Sequence, residues 1–255
     1  MGFREVRKKG SIKVRELPDM SKPISLYFGG TGMLTPTYRY YTKNDIVVPP
    51  LDFGEALYLA ESIDDAKFWA YHSCLNSTSR VATVTCFNFN PEGLRGYTLA
   101  EDYTDENLVL NYIANLLKFS AHSEVTSLDY DKEAFYREYA GFDVNDYDYV
   151  IAPRLDSCYS RIIWEFENNN ITVGEFSEAL KHNIYDGYQI CLISEKAHDA
   201  LSRSYTTGCP KSVLLEAKED RYYKLKDMVK EVLKSSGKTR YNGVFAKTIK
   251  EFEVK

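Results

Sequence analysis

The sequence predicts an α+β domain, and three observations predict it. Val81 to Asn90 sets Val81, Thr83, Thr85, Phe87 and Phe89 against Ala82, Val84 and Cys86, the two-residue period of a strand. Two further apolar runs, one ending at Pro153 and one over Tyr188 to Ile193, have the length of strands rather than helices. The helical stretches between them follow no regular βαβ alternation, and neither an internal repeat nor a low-complexity linker breaks the order.

Along the chain, Ile24 to Phe28 reads as a strand and Tyr38 to Pro50 as an irregular loop. Asp64 and Asp65 favour the first turn of a helix that buries Ala66, Trp69 and Ala70, because carboxylates complement the unpaired N–H groups there. Residues 104 to 119 set Leu108, Tyr112, Leu116 and Phe119 near one helical face. A helix follows around Tyr159 to Asn168. The next, Thr172 to Lys181, starts with Thr172 and Glu175 at capping-box spacing. Glu195 to Leu201 reads as a last short helix of the domain.

Composition sets the class. At 255 residues, 44% apolar and 14% aromatic, the chain has ample material for a core. No apolar run reaches the roughly 20 residues that span a bilayer, and Met1 to Arg15 is basic without an apolar stretch, so a cytoplasmic protein with no membrane partner is expected. The five cysteines, Cys74, Cys86, Cys158, Cys191 and Cys209, are scattered without a CxxC pair, which argues against disulfides and structural zinc. Residues 1–22 carry seven Lys/Arg against three Asp/Glu, and 205–255 carry twelve against seven. The formal net charge of −5 therefore hides an acidic middle between basic ends. Three parts are expected: a basic extension over 1–22, a domain over 23–204, and a basic helical extension over 205–255.

Two stretches draw attention as a binding site. Tyr27-Phe28-Gly29-Gly30-Thr31-Gly32 places glycines after an aromatic strand, where backbone can approach a ligand. Asp52-Phe53-Gly54-Glu55 leads through Leu57-Tyr58-Leu59 into the capped helix and forms a wall beside it, a layout suited to a flat-ringed nucleotide. Farther on, Arg154 and Asp156 arrive at a strand's exit, where functional residues often sit, and Gln189 puts an amide on a buried strand, where it must find partners.

Familiar signatures are missing. Gly30-Thr31-Gly32 lacks the third glycine of a dinucleotide fingerprint, and no P-loop occurs. The acidic run Asp143 to Asp148 begins like a calcium loop, but Asp148 stands where glycine belongs and Arg154 where the bidentate glutamate belongs. His72, His122, His182 and His198 have neither metal-ligand nor triad spacing and read as surface or capping residues, so no metal is expected.

In combination, Leu26-Tyr27-Phe28-Gly29, then Asp52-Phe53-Gly54 with Leu57-Tyr58-Leu59 and Ala66 to Ala70, then Asp148 to Asp156 and finally Gln189-Ile190, the chain resembles the bacterial DUF3990 family over roughly residues 24 to 201. That family is regarded as a divergent branch of the ADP-ribosyltransferase superfamily. The resemblance implies a split, mostly antiparallel sheet with flanking helices, whose cleft holds NAD in a bent form. In the superfamily's His-Tyr-Glu site, a histidine on the first strand binds the adenosine ribose or nicotinamide, a tyrosine stacks on nicotinamide, and a glutamate holds the nicotinamide ribose. Here Phe28 stands at the histidine position, Tyr58 matches the tyrosine, and Gln189 stands at the glutamate position. Gly29 would offer its backbone to the nicotinamide amide.

The implied activity is transfer of ADP-ribose from NAD to RNA, DNA or protein by a bacterial or phage-conflict effector toxin, with an antitoxin or inhibitory protein as a further partner. Tyr58, Gln189, Asp156 and Arg154 form the implied catalytic set, and Tyr27, Phe28, Gly29, Gly30, Thr31, Asp52, Phe53 and Tyr58 the NAD-binding set. Gln189 keeps hydrogen bonds to ribose hydroxyls but lacks the charge, so that either Asp156 or Glu55 supplies a carboxylate or turnover is slow. The same residues have ordinary readings: Tyr27, Phe28 and Tyr58 as core, Asp52 and Asp156 as turn residues, Arg154 as an ion-pair partner, and Gln189 as an internal amide. A degenerate member that binds NAD, a nucleotide or a protein partner without transfer chemistry is the second function class. In the C-terminal extension, Tyr222, Leu225, Val229, Val232 and Leu233 mark one helical face, while Lys226, Lys230 and Lys234 repeat every four residues. That lysine row is either a solvated face or a ridge presenting an acidic acceptor.

Overall fold

The computed structural model describes residues 17–31, 53–54, 56–75, 81–99, 110–115, 138–139, 143–153 and 188–209. Asp52, Glu55, Arg154, Asp156, the loop to Pro50, the helices expected over 159–168 and 172–181 and the C-terminal lysine row lie outside them. The described elements form an α+β fold. Seven strands make one sheet: β1 (Ile24–Thr31), β2 (Leu57–Ala60), β3 (Ala82–Phe89), β4 (Gly96–Thr98), β5 (Tyr149–Pro153), β6 (Tyr188–Leu192) and β7 (Leu201–Gly208). Their spatial order is β4-β5-β6-β2-β1-β3-β7. Among the described residues only the β4–β5 pair is parallel.

Alternation along the strands divides the side chains between two covered faces. On one, Leu26, Leu57, Leu59, Phe87, Phe89, Ile151, Ile190 and Leu192 are buried together, and the Phe89 and Tyr149 rings meet edge to face at 5.7 Å. On the other, helix α1 (Ile63–Leu75) lays Ala66 and Ala70 against the sheet with Ala60, Ala82 and Val84. Ser62 opens this helix by accepting a hydrogen bond from the Asp64 N–H at 3.2 Å, and the expected acidic first turn is Asp64 and Asp65. Ala66 and Ala70 are fully buried as expected, whereas Trp69 is half-buried and its neighbour Phe68 takes the interior place.

Gly29 explains how the helix comes so near. A Cβ built on it would lie 1.7 Å from the Ala66 carbonyl oxygen and 2.7 Å from the Ala70 nitrogen. The absent side chain is the space that α1 occupies. At Gly30 the obstruction is the ring of Phe28, 2.6 Å away. Gly29 and Gly30 therefore each have a packing reason within the protein.

The end of the domain departs from the sequence reading. Helix α2 is only Glu195–Asp199, capped by Ser194, and Leu201 begins an eight-residue strand that pairs with β3 and runs past residue 204. His198 is buried rather than at the surface. Its burial pushes the imidazole below its ordinary value, a direction opposed by a hydrogen bond with the Leu192 backbone and by Asp199 and Glu195.

The acidic run is consumed locally. Asp143 caps the 3-10 turn Val144–Asp146 by accepting from the Asn145 N–H at 3.0 Å. Asp148 accepts from the Arg95 N–H at 2.7 Å and the Ser194 hydroxyl at 2.6 Å, tying the approach to β4 to the start of α2. Among the described residues no group of three His, Cys, Asp or Glu side chains could hold a metal ion, and no helix is long and apolar enough to cross a membrane.

Candidate functional site

The sheet is continuous by hydrogen bonding, and among the described residues its central β1–β2 pairing is the shortest. β1 pairs with β3 through eight register positions, Ile24↔Phe89 to Thr31↔Ala82, and with β2 through one, Tyr27↔Ala60.

Residues opposite one another in antiparallel strands point to the same face. The register therefore draws one row across the sheet: Tyr205, Cys86, Tyr27, Ala60, Gln189 and Ala152, from β7 through β3, β1, β2 and β6 to β5. Tyr27 and Gln189 flank Ala60 on the α1 side, their backbones about 10 Å apart at two strand spacings. Tyr58 lies one pleat along β2 on the same face, opposite Cys191. Two half-buried tyrosines and a buried amide thus share one face of the sheet around Ala60, which is itself buried under α1 with Ala66 and Ala70.

Tyr58 is held by its tip. Its hydroxyl accepts from the Phe53 N–H and donates to the Gly54 carbonyl, both at 2.9 Å. Gly54 has φ 74°, a left-handed turn that glycine adopts without steric cost. The Asp52-Phe53-Gly54 stretch is in this way pinned to the site's tyrosine. Removing the hydroxyl with Tyr58→Phe leaves two backbone groups without that partner and is expected to lower stability by about 1–2 kcal/mol. Urea unfolding checks it.

Gln189 is 5% exposed, and its Nε2 donates to the Pro153 carbonyl at 3.2 Å. The hydroxyl of Tyr112, from helical residues 110–115, donates to the same oxygen at 3.2 Å. The polar side chain on a buried strand has therefore found a partner at the very exit of β5 that drew attention to Arg154 and Asp156.

The other expected site residues that are described divide between the two faces and the interior. Phe28, one residue from Tyr27, points the opposite way and packs against the larger core cluster with Leu26, so it does not meet Tyr58 and Gln189. Phe53 is 1% exposed and its ring belongs to the interior. Gly30 is buried on Phe28's side, and Thr31 ends β1 opposite Ala82. Gly29 shares the α1 face, its α-carbon under the helix. The sequence reading missed Ala60 and the Pro153 carbonyl, neither of which carries a local motif.

A family model described as a protein of unknown function (DUF3990) matches residues 43–202, a span that holds Tyr58, Ala60, Pro153 and Gln189 and leaves β1 outside. No curated protein and no solved structure matches the chain.

Proposed function

This chain belongs to the DUF3990 family, and from that premise we propose that it is an NAD-dependent mono-ADP-ribosyltransferase acting on a macromolecular acceptor, as an effector toxin. The observation that carries the reading is the single register pair Tyr27↔Ala60 at the sheet's centre, with Tyr27, Ala60, Gln189 and Tyr58 on one face beside it. Two half-buried tyrosines suit contact with a flat ring, and a fixed amide suits a sugar's hydroxyls. The reading takes its chemistry from the family resemblance, since a fold alone does not imply a reaction.

In this reading Tyr27 and Tyr58 bracket the nicotinamide end and Gln189 orients the adjoining ribose. Loss of nicotinamide leaves positive charge on that ribose, and the acceptor's nucleophile attacks the same carbon to complete the transfer. A carboxylate about 5 Å away at an effective dielectric of about 20 favours that charge by roughly 3 kcal/mol. Gln189 supplies orientation and a dipole but no charge, so Glu55 or Asp156 is assigned the carboxylate role.

One observation favours a second reading, an NAD- or nucleotide-binding module without transfer. The amide that replaces the charge is buried and hydrogen-bonded to Pro153 as an interior amide would be. Nicotinamide release by the purified protein separates the two. Release that falls at least tenfold in Gln189→Leu, with NAD binding also weakened, supports the transferase; NAD binding without release from the wild type supports the module.

A further inference from the structure

The atom that Gln189 turns toward β5 is decided by chemistry. A carbonyl oxygen has lone pairs and no hydrogen, so the group 3.2 Å from the Pro153 oxygen must carry one, and the amide's Nε2 does. Oε1 is in consequence turned away from Pro153. Tyr112 approaches the same oxygen as a second donor, so both hydrogen bonds described at this carbonyl are received from side chains.

We infer that the Pro153 carbonyl specifies an amide at position 189 and excludes a carboxylate, so that Gln189 is a built feature of the site and the site is uncharged at this point. The inference builds on the reading of Gln189 as a site residue. A glutamate of the same length would set an oxygen where Nε2 stands. Two acceptors would then face each other at a side chain only 5% exposed, where water cannot intervene and a carboxylate is costly to bury. Only a protonated carboxyl, which donates as the amide does, satisfies Pro153 in that geometry.

The consequence runs against the simplest expectation for a site that lacks a glutamate, which is that restoring one improves it. Thermal melts of wild type, Gln189→Glu and Gln189→Met between pH 4 and pH 8 test it. A carboxyl held protonated by the fold has a folded pKa above its unfolded value of about 4.3. Its contribution is present below the unfolded value and lost as pH rises through the folded one. Gln189→Glu is therefore expected to melt near the wild type at pH 4 and to fall behind it with rising pH, by on the order of 5 °C or more at pH 8. Gln189→Met, which has no donor and no proton to lose, is expected to show a deficit independent of pH. A Gln189→Glu protein as stable as wild type at pH 8 overturns the inference. If Gln189→Glu does not fold at neutral pH, circular dichroism at pH 4.5 decides: a folded protein there supports the inference, and an unfolded one beside folded wild type and Gln189→Met overturns it. These melts use no NAD. Nicotinamide release measured on the same wild-type preparation reports on the transferase reading separately, and its absence leaves the pH-dependent deficit standing.

Discussion

Gly29→Ala is expected to lose about 3 kcal/mol or more of folding stability, a large share of the 5–15 kcal/mol that holds a typical domain together. The added methyl would stand 1.7 Å from the Ala66 oxygen and 2.6 Å from its carbonyl carbon. These are backbone atoms inside a helix, so no rotamer change makes room. Helix α1 must lift from β1, and the buried contacts of Ala66, Ala70 and Ala60 loosen with it. Ordinary overpacking of a core costs about 1–3 kcal/mol when side chains can shift, and here they cannot. Gly30→Ala is the internal control, because its methyl would meet the edge of the Phe28 ring, which can turn. Guanidinium unfolding of the two variants should rank Gly29→Ala well below Gly30→Ala. A Gly29→Ala protein within about 0.5 kcal/mol of wild type would contradict the helix position described here.

Asp148→Asn is expected to cost about 2–4 kcal/mol, because it weakens two charge-assisted hydrogen bonds and turns an NH2 group toward one of their donors. Both carboxylate oxygens are occupied, one by the Arg95 N–H and one by the Ser194 hydroxyl, with Lys196 at 4.0 Å. Ser194 in turn caps α2 by accepting from the Ala197 N–H at 3.1 Å, so the damage spreads to the turn that starts the helix. Burial pushes the Asp148 carboxyl up, but the Arg95 N–H, the Ser194 hydroxyl and the charge of Lys196 together hold it below its ordinary value. A lowered folded pKa gives stability that is present above the unfolded value of about 3.9 and lost as pH falls through the folded one. The difference between wild type and Asp148→Asn should hold from pH 8 to about pH 5 and shrink below about pH 4. Denaturant midpoints across that range measure it, and a difference unchanged at pH 3 would mean that the carboxylate's charge has no part in the clamp.

How much of this was legible depended on what each residue's neighbours in sequence could reveal. β3 declared itself by alternation, and β5 and β6 by short apolar runs, because burial imposes a pattern that survives in one dimension. β7 did not: Ser202, Arg203, Ser204 and Tyr205 are all exposed on an edge strand, where pairing with β3 supplies the structure and burial supplies no pattern. Tyr58 and Gln189 were placed together by resemblance, and the register Leu59↔Ile190 puts both on one face. Phe28 lies one residue off that face. Side chains alternate along a strand, so with Tyr27 opposite Ala60 its neighbour must face the other way. Gly29 is a point of close approach, and what approaches it is the backbone of α1, whose position no local motif states. That Gln189 needs a partner followed from its being polar on an apolar strand. That the partner is a carbonyl on a neighbouring strand, and hence that the residue must be a donor, follows only from the sheet order.

The central claim is transfer of ADP-ribose from NAD to a macromolecule, and incubation of the purified protein with adenylate-labelled NAD and a cell lysate tests it most directly. Separate RNase, DNase and protease digestion then reads the acceptor. The account predicts label in the macromolecular fraction that disappears with one digestion and is lost when Gln189→Leu replaces the wild type. Absence of both macromolecular label and released nicotinamide, from a protein shown to be folded and to bind NAD, would contradict it.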